Sequence, residues 1–178
     1  MAPGVVGTYR VGEFVVSLEE NGGRSVLEVA HGSRPGRALW RSVPGESFVS
    51  AARGRETVSQ TQGHFEVEDE IGARLSDQSV ESAEMRGDAL VFSGRLAGGG
   101  DSRRLVGGWE EVPYTLTFSP ASDGRLRFVA EVEGPYNRTY LTYASSSGER
   151  FFGFGEQFTY FDLKGRKVPI FIQEQGIG

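Results

Sequence analysis

The sequence predicts an all-β fold, an antiparallel β-sandwich of roughly ten or more strands, and three observations carry the prediction. Apolar residues recur with a period of two along almost the whole chain, the alternation of strands with one face buried. The alternating segments are separated by Gly, Pro, Asn and Asp turn signals at the strand spacing of a sandwich or barrel, about 8–12 residues. No window of about 12 residues carries an i, i+3, i+4, i+7 apolar face, so any helix is short.

Taken in order, Phe14, Val16 and Leu18 alternate with Val15, Ser17 and Glu19, and the strand runs into Asn21-Gly22-Gly23. An Asn-Gly between alternating segments is a strong hairpin signal, with Val26 to Val29 as the returning strand. Pro35 and Gly36 interrupt the pattern before Ala38–Ser42, and Pro44-Gly45 interrupts it again before Phe48 and Val49. Phe65 and Val67 alternate with His64, Glu66 and Glu68 in an acidic strand. Val80 to Met85 and the run Leu90, Phe92, Gly94, Leu96 form a second hairpin about Arg86-Gly87-Asp88. Gly98 to Ser102 reads as a polar loop. Tyr114, Leu116 and Phe118 then alternate with threonines, turn at Ser122-Asp123-Gly124, and return through Leu126, Phe128, Ala130 and Val132. Thr139, Leu141 and Tyr143 repeat the alternation.

Composition narrows the function. A chain of 178 residues is long enough to bury its own core. Its 38% hydrophobic and 24% charged residues are those of an ordinary globular protein. A net charge of −5 without a Lys/Arg run lacks the footprint of a nucleic-acid binder. No stretch approaches the roughly 18 apolar residues of a membrane span, and the N-terminus lacks the pattern of a signal peptide. The expectation is therefore a cytoplasmic protein with neither nucleic acid nor membrane as partner. With no cysteine, disulfides, thiolate catalysis and Cys-ligated zinc are excluded together.

Other conspicuous residues have plain readings. His31 and His64 sit in no zinc or triad motif, and His64 is expected to face solvent. Glu66, Glu68, Asp69 and Glu70 lack the glycine and spacing of an EF-hand and read as a solvated strand edge. Arg86-Gly87-Asp88 fits a hairpin turn rather than an adhesion tripeptide. Trp40 reads as a core residue rather than a ligand platform, whereas Trp109 fits either an exposed position or a cap on the core. No metal or cofactor is expected.

The end of the chain differs from the rest. Six of the twelve phenylalanines (Phe151, Phe152, Phe154, Phe158, Phe161 and Phe171) fall between Phe151 and Gly178. Glu156, Gln157, Asp162, Gln173, Glu174 and Gln175 lie among them, and aromatic walls set with a few polar groups suit a small-molecule pocket. The plain reading is that the phenylalanines pack against a neighbouring domain. Gly153-Phe154-Gly155 lacks the following helix of a dinucleotide site, so it is weak as a phosphate cradle.

Phe151-Phe152-Gly153-Phe154-Gly155-Glu156-Gln157-Phe158 resembles the Gly-x-Gly-Glu signature that closes the N-terminal domain in glycoside hydrolase family 31. The run from Tyr160 through Gln173-Glu174-Gln175-Gly176-Ile177-Gly178, with Leu39-Trp40-Arg41-Ser42-Val43-Pro44-Gly45 upstream, looks most like its sulfoquinovosidase branch. The resemblance implies a galactose-mutarotase-like sandwich over residues 1–150. Residues 151–178 are then a final strand and active-site loop leading to a (β/α)8 barrel, which is missing from these residues and holds the two catalytic aspartates. It implies a retaining hydrolase, whose carboxyls stand about 5–5.5 Å apart, and a sugar or glycoside as substrate. Carried over position by position, Gln175 is the residue implied to hydrogen-bond the sugar. Glu174, Gln157 and Glu156 follow as pocket-rim groups, and no catalytic residue is assigned. An amide suits such work because it offers donors and an acceptor to adjacent hydroxyls. Two alternatives stand beside this reading: a free-standing carbohydrate-binding module, and a domain of an α-glucosidase or α-xylosidase of the same family.

Overall fold

Alternation becomes strand wherever one face can be buried, and ten strands form among the described residues. The structure, a computed structural model, describes residues 6–62, 64–98, 111–153 and 160–166, with the backbone alone at 64 and 65. No helix occurs among these residues, and so none long and apolar enough to cross a membrane. The side chain of His64, the loop at residues 99–102 and Trp109 lie outside the described residues.

The first sheet has four strands in chain order: β1 (Gly7–Val11), β2 (Phe14–Asn21), β3 (Arg24–His31) and β4 (Ala38–Arg41), each antiparallel to the next. The second contains β5 (Val49–Thr61), β6 (His64–Arg86), β7 (Ala89–Gly98), β8 (Glu111–Pro120), β9 (Leu126–Val132) and β10 (Arg138–Leu141). Its order is β10-β5-β6-β7-β8-β9, so the last strand crosses back to pair antiparallel with β5. Asn137 extends that pairing with its side chain: its amide accepts from Gly54 N and donates to Gly54 O, both at 2.9 Å.

The chain divides into two compact units. One comprises Met1–Gly54 with Ile71–Ala144, and the other Arg55–Glu70 with Ser145–Gly178. The core lies in the first, where the inward faces of both sheets meet as a sandwich. Val11, Val16, Leu18 and Leu27 come from the first sheet, and Leu75, Leu90, Phe92, Leu96 and Leu116 from the second. Tyr9 of β1 meets Phe92 of β7 edge to face at 6.1 Å, and Phe92 meets Phe118 of β8 at the same distance. The predicted alternation is clearest in β8, where Val112, Tyr114, Leu116 and Phe118 are buried and their neighbours are not.

The β2–β3 hairpin turns where the Asn-Gly signal places it, with one change. Asn21 is still paired with Arg24, and the central residues are Gly22 and Gly23, at φ 61° and 80°. Positive φ at both positions is the type I′ arrangement, which matches the twist of the flanking strands. Two departures from the sequence reading are larger. β1 is a strand that the sequence pattern does not mark, and the segments expected at Phe65–Val67 and Val80–Met85 are one strand, β6. Residues 55–61 and 66–72 are exposed, so burial imposes no period there. Register shifts between Leu75 and Asp77 and between Val80 and Ser82 also reset the phase of the alternation.

Those bulges are stitched by a part-buried polar network. The Gln78 side-chain carbonyl accepts from Phe48 N (2.9 Å) and Val49 N (3.3 Å), and its amide donates to Tyr114 Oη (2.6 Å). Tyr114 donates onward to Ser79 O at 3.1 Å, and burial pushes its phenol above the ordinary value, keeping it a neutral donor. Opposite lies Gly94, where a Cβ would overlap the Ser79 carbonyl oxygen and stand 3.0 Å from the Tyr114 ring. Gly94→Ala is therefore expected to lower the unfolding free energy by about 1–3 kcal/mol through forced backbone displacement. Tyr114→Phe should cost about 1–3 kcal/mol by stranding its two partners. Urea unfolding followed by circular dichroism checks both, and values within about 0.5 kcal/mol of the parent, typical of neutral surface changes, contradict them.

Candidate functional site

Within the aromatic-rich C-terminal stretch, the described residues form a turn built on one carboxylate. Asp162 Oδ1 accepts from Lys164 N at 3.1 Å, an Asx turn, and also from Phe151 N at 3.1 Å. Its Oδ2 takes Arg150 Nη1 at 2.7 Å. Leu163 N donates to Phe151 O at 2.8 Å, and Arg166 N closes the turn onto Leu163 O at 3.0 Å. Gly165 sits at the third turn position with φ 68°, as a type II turn requires. The Lys164 ammonium, in turn, donates to Ser145 Oγ (3.0 Å) and to the Ser146 carbonyl.

Asp162 thus ties residues 150–151 to 162–164, the two ends of the segment that carries Glu156 and Gln157. The knot displays aromatic surface. Phe152 and Phe161 meet at a tilt, ring centroids 4.9 Å apart, with 57% and 88% of their surface exposed, and the Arg166 guanidinium lies 4.2 Å over the Tyr160 ring. The sequence by itself presents Asp162 only as one acceptor among several. Asp-Leu-Lys-Gly, with Asp opening the turn and Gly three residues on, was the signal that could have identified it as the anchor. The four residues predicted to face a sugar, Gln175, Glu174, Gln157 and Glu156, lie outside the described residues.

The sandwich contributes a separate apolar cleft of about 330 Å³, lined among others by Phe14, Trp40, Phe118, Leu126, Phe128 and Leu141. Trp40 is half-buried, packed on the core and tilted against Tyr143 at 6.5 Å, so it serves as core and cleft wall together. Arg125 at the cleft edge is engaged by Asp123, whose carboxyl it lowers. His31 has a local duty: its Nδ1 accepts from Ser33 N at 3.2 Å and its ring rests edge-on against Phe14. Glu66, Glu68, Asp69 and Glu70 are exposed, and no group of three or more His, Asp or Glu that could hold a metal occurs among the described residues.

The Arg150 guanidinium beside Asp162, helped by the Lys164 and Phe151 amides, holds its carboxyl down to about 2. A depressed carboxyl contributes stability above its ordinary value, about 3.9, and that contribution is lost as pH falls through the folded value. In an NMR titration the Phe151 and Lys164 amide signals should therefore move with a midpoint near 2. Arg150→Met should raise that midpoint towards about 4. An unchanged midpoint in the variant contradicts the assignment.

No protein-family model matches the chain. Over 142 residues, 80% of the chain, it is 28% identical to a sulfoquinovosidase of Agrobacterium fabrum, of which it covers 18%. Over 69 residues, 38% of the chain, it is 36% identical to a sulfoquinovosidase of Escherichia coli, of which it covers 10%. The chain thus spans less than a fifth of the length of the curated relatives it matches. Its similarity is to part of a glycoside-cleaving enzyme.

Proposed function

We propose that the chain is the N-terminal, galactose-mutarotase-like sandwich portion of a glycoside hydrolase family 31 α-glycosidase that cleaves α-sulfoquinovosides by retention. In this reading residues 1–150 are the sandwich, and residues 151–178 lend a wall to the substrate pocket. Gln175 contacts the sugar, Glu174, Gln157 and Glu156 line the rim, and a (β/α)8 barrel elsewhere in the polypeptide supplies the catalytic carboxylates. The observation that carries the proposal is the similarity to the Agrobacterium fabrum sulfoquinovosidase across 80% of the chain.

The local chemistry is in keeping with it. Asp162 is held near 2 and engaged by three donors, which suits an anchor and not a general acid poised near neutral pH. The exposed Phe152–Phe161 pair is surface of the kind buried when domains associate.

Hydrolysis of 4-nitrophenyl α-sulfoquinovoside and 4-nitrophenyl α-glucoside tests the reading. The full-length polypeptide should turn over the sulfonated glycoside at least about tenfold faster in kcat/KM, the effect of one well-placed charged contact, and the 178 residues alone should turn over neither. Gln175→Ala in the full-length enzyme should lower kcat/KM by roughly fivefold or more, the loss of one polar contact. Equal rates on both glycosides would move the assignment to an ordinary α-glucosidase. Turnover by the 178 residues alone would overturn the division of labour.

A further inference from the structure

A second cavity, remote in sequence from the C-terminal stretch, lies on the sandwich and is polar. It measures about 240 Å³ and is lined by Arg24, Ser47, Ser50, Arg74, Ser76 and Thr142, with Gly45 and Glu46 at the loop that borders it. The site thus draws on β3, the loop after β4, β5, β6 and the segment following β10, and every contributor belongs to the same compact unit.

The residues within it differ in how far they are satisfied. Ser47 Oγ donates to Ser76 O at 2.7 Å and accepts from Gln78 N, so it is structural. Arg24 is oriented by two contacts, Nη2 to Asp77 Oδ1 at 3.1 Å and Nη1 to Ser47 Oγ at 3.4 Å. Arg74 lies with its guanidinium carbon 5.0 Å from the centre of the Tyr140 ring, and Tyr140 is the cross-strand partner of Ser50. A cation over an aromatic face is held there by the ring's charge distribution and keeps its N–H groups able to donate. Ser50 is the anomaly. It is only 3% exposed, and its hydroxyl has no hydrogen-bond partner.

A buried hydroxyl without a partner costs free energy and calls for an occupant. The cavity has room for far more than one water, whose share of liquid volume is about 30 Å³. Its neighbours set the charge of that occupant. Two guanidinium groups favour an anion, and a planar N–H fork matches the oxygens of a phosphate or sulfate group. We propose that this pocket binds a small oxyanion of the phosphate, sulfate or sulfonate type, which accepts from the Ser50 hydroxyl and is held by Arg74 and Arg24. Asp77 offsets part of the Arg24 charge and the Glu46 carboxylate stands at the border, so the site is a moderate one whose affinity depends on Glu46. This inference is independent of the glycosidase reading.

Calorimetric titration of the full chain with sodium phosphate, sodium sulfate and sodium methanesulfonate, at ionic strength held constant with sodium chloride, tests it. One saturable site is expected, and the tightest of the three anions identifies the oxyanion class. Ser50→Ala and Arg74→Met should each weaken binding about tenfold, the scale of one charge-assisted hydrogen bond. Glu46→Gln should tighten it a few-fold by removing a like charge. Ser50→Ala deletes an unpartnered hydroxyl, so its thermal midpoint without oxyanion should equal or exceed that of the parent; this separates lost binding from lost fold. No saturable heat with any of the three anions overturns the proposal. So does binding that Ser50→Ala and Arg74→Met leave unchanged.

Discussion

The close approach of Ser79 to Gly94 is the constraint on which the larger sheet depends. β6 is bulged on both sides of this point, and its backbone leans onto β7 where Gly94 leaves space. A bulge leaves backbone groups outside the ladder, and buried groups of that kind must find other partners. Tyr114 from β8 reaches across to take the Ser79 carbonyl, and Gln78 connects the same hydroxyl to the amides of Phe48 and Val49 at the start of β5. One network thereby joins β5, β6 and β8 across the position where β7 has no side chain. Each member is also satisfied by the others, which is the condition under which a buried polar network rigidifies a core instead of weakening it.

How much of this was legible in the sequence follows from where burial is one-sided. β2, β7 and β8 each put one face on the core, and their alternation read directly as strand. The glycine-bearing turns at residues 22–23, 87–88 and 122–124 were legible because positive φ and tight reversal leave a chemical signature. β5 begins with Val49, Ser50, Ala51 and Ala52, all buried, and continues as an exposed polar ladder, so it shows an alternating pattern in neither part. β1 is five residues long and contains one fully buried side chain, Val11, which is too little for a period to register.

The C-terminal stretch shows the same division between local and assembled information. That it is aromatic and rich in acceptors was plain from composition, and the turn chemistry of Asp162-Leu163-Lys164-Gly165 was present to be read. That Asp162 would reach back to Arg150 and the Phe151 amide required the fold, because the partners are 11 and 12 residues away and belong to no motif. Asp162 spends its hydrogen-bonding capacity on the chain itself, which leaves recognition of anything else to other groups.

The same accounting explains why Ser50 stands out. Several other buried or half-buried hydroxyls in the sandwich have duties. Ser42 Oγ accepts from Leu27 N at 2.9 Å, Ser82 and Ser93 bond each other at 2.6 Å across β6 and β7, and Ser47 serves three partners. Loose packing does not account for the stranded hydroxyl, since Ser50 lies between the buried residues Val49 and Ala51. Alanine at this position would be the less costly residue if nothing were to bind there. The pocket also gathers residues 24, 50, 74 and 142, whose separation in sequence exceeds any motif, so it exists only in the assembled fold, where the crossing of β10 back to β5 carries in Thr142 and the first sheet contributes Arg24.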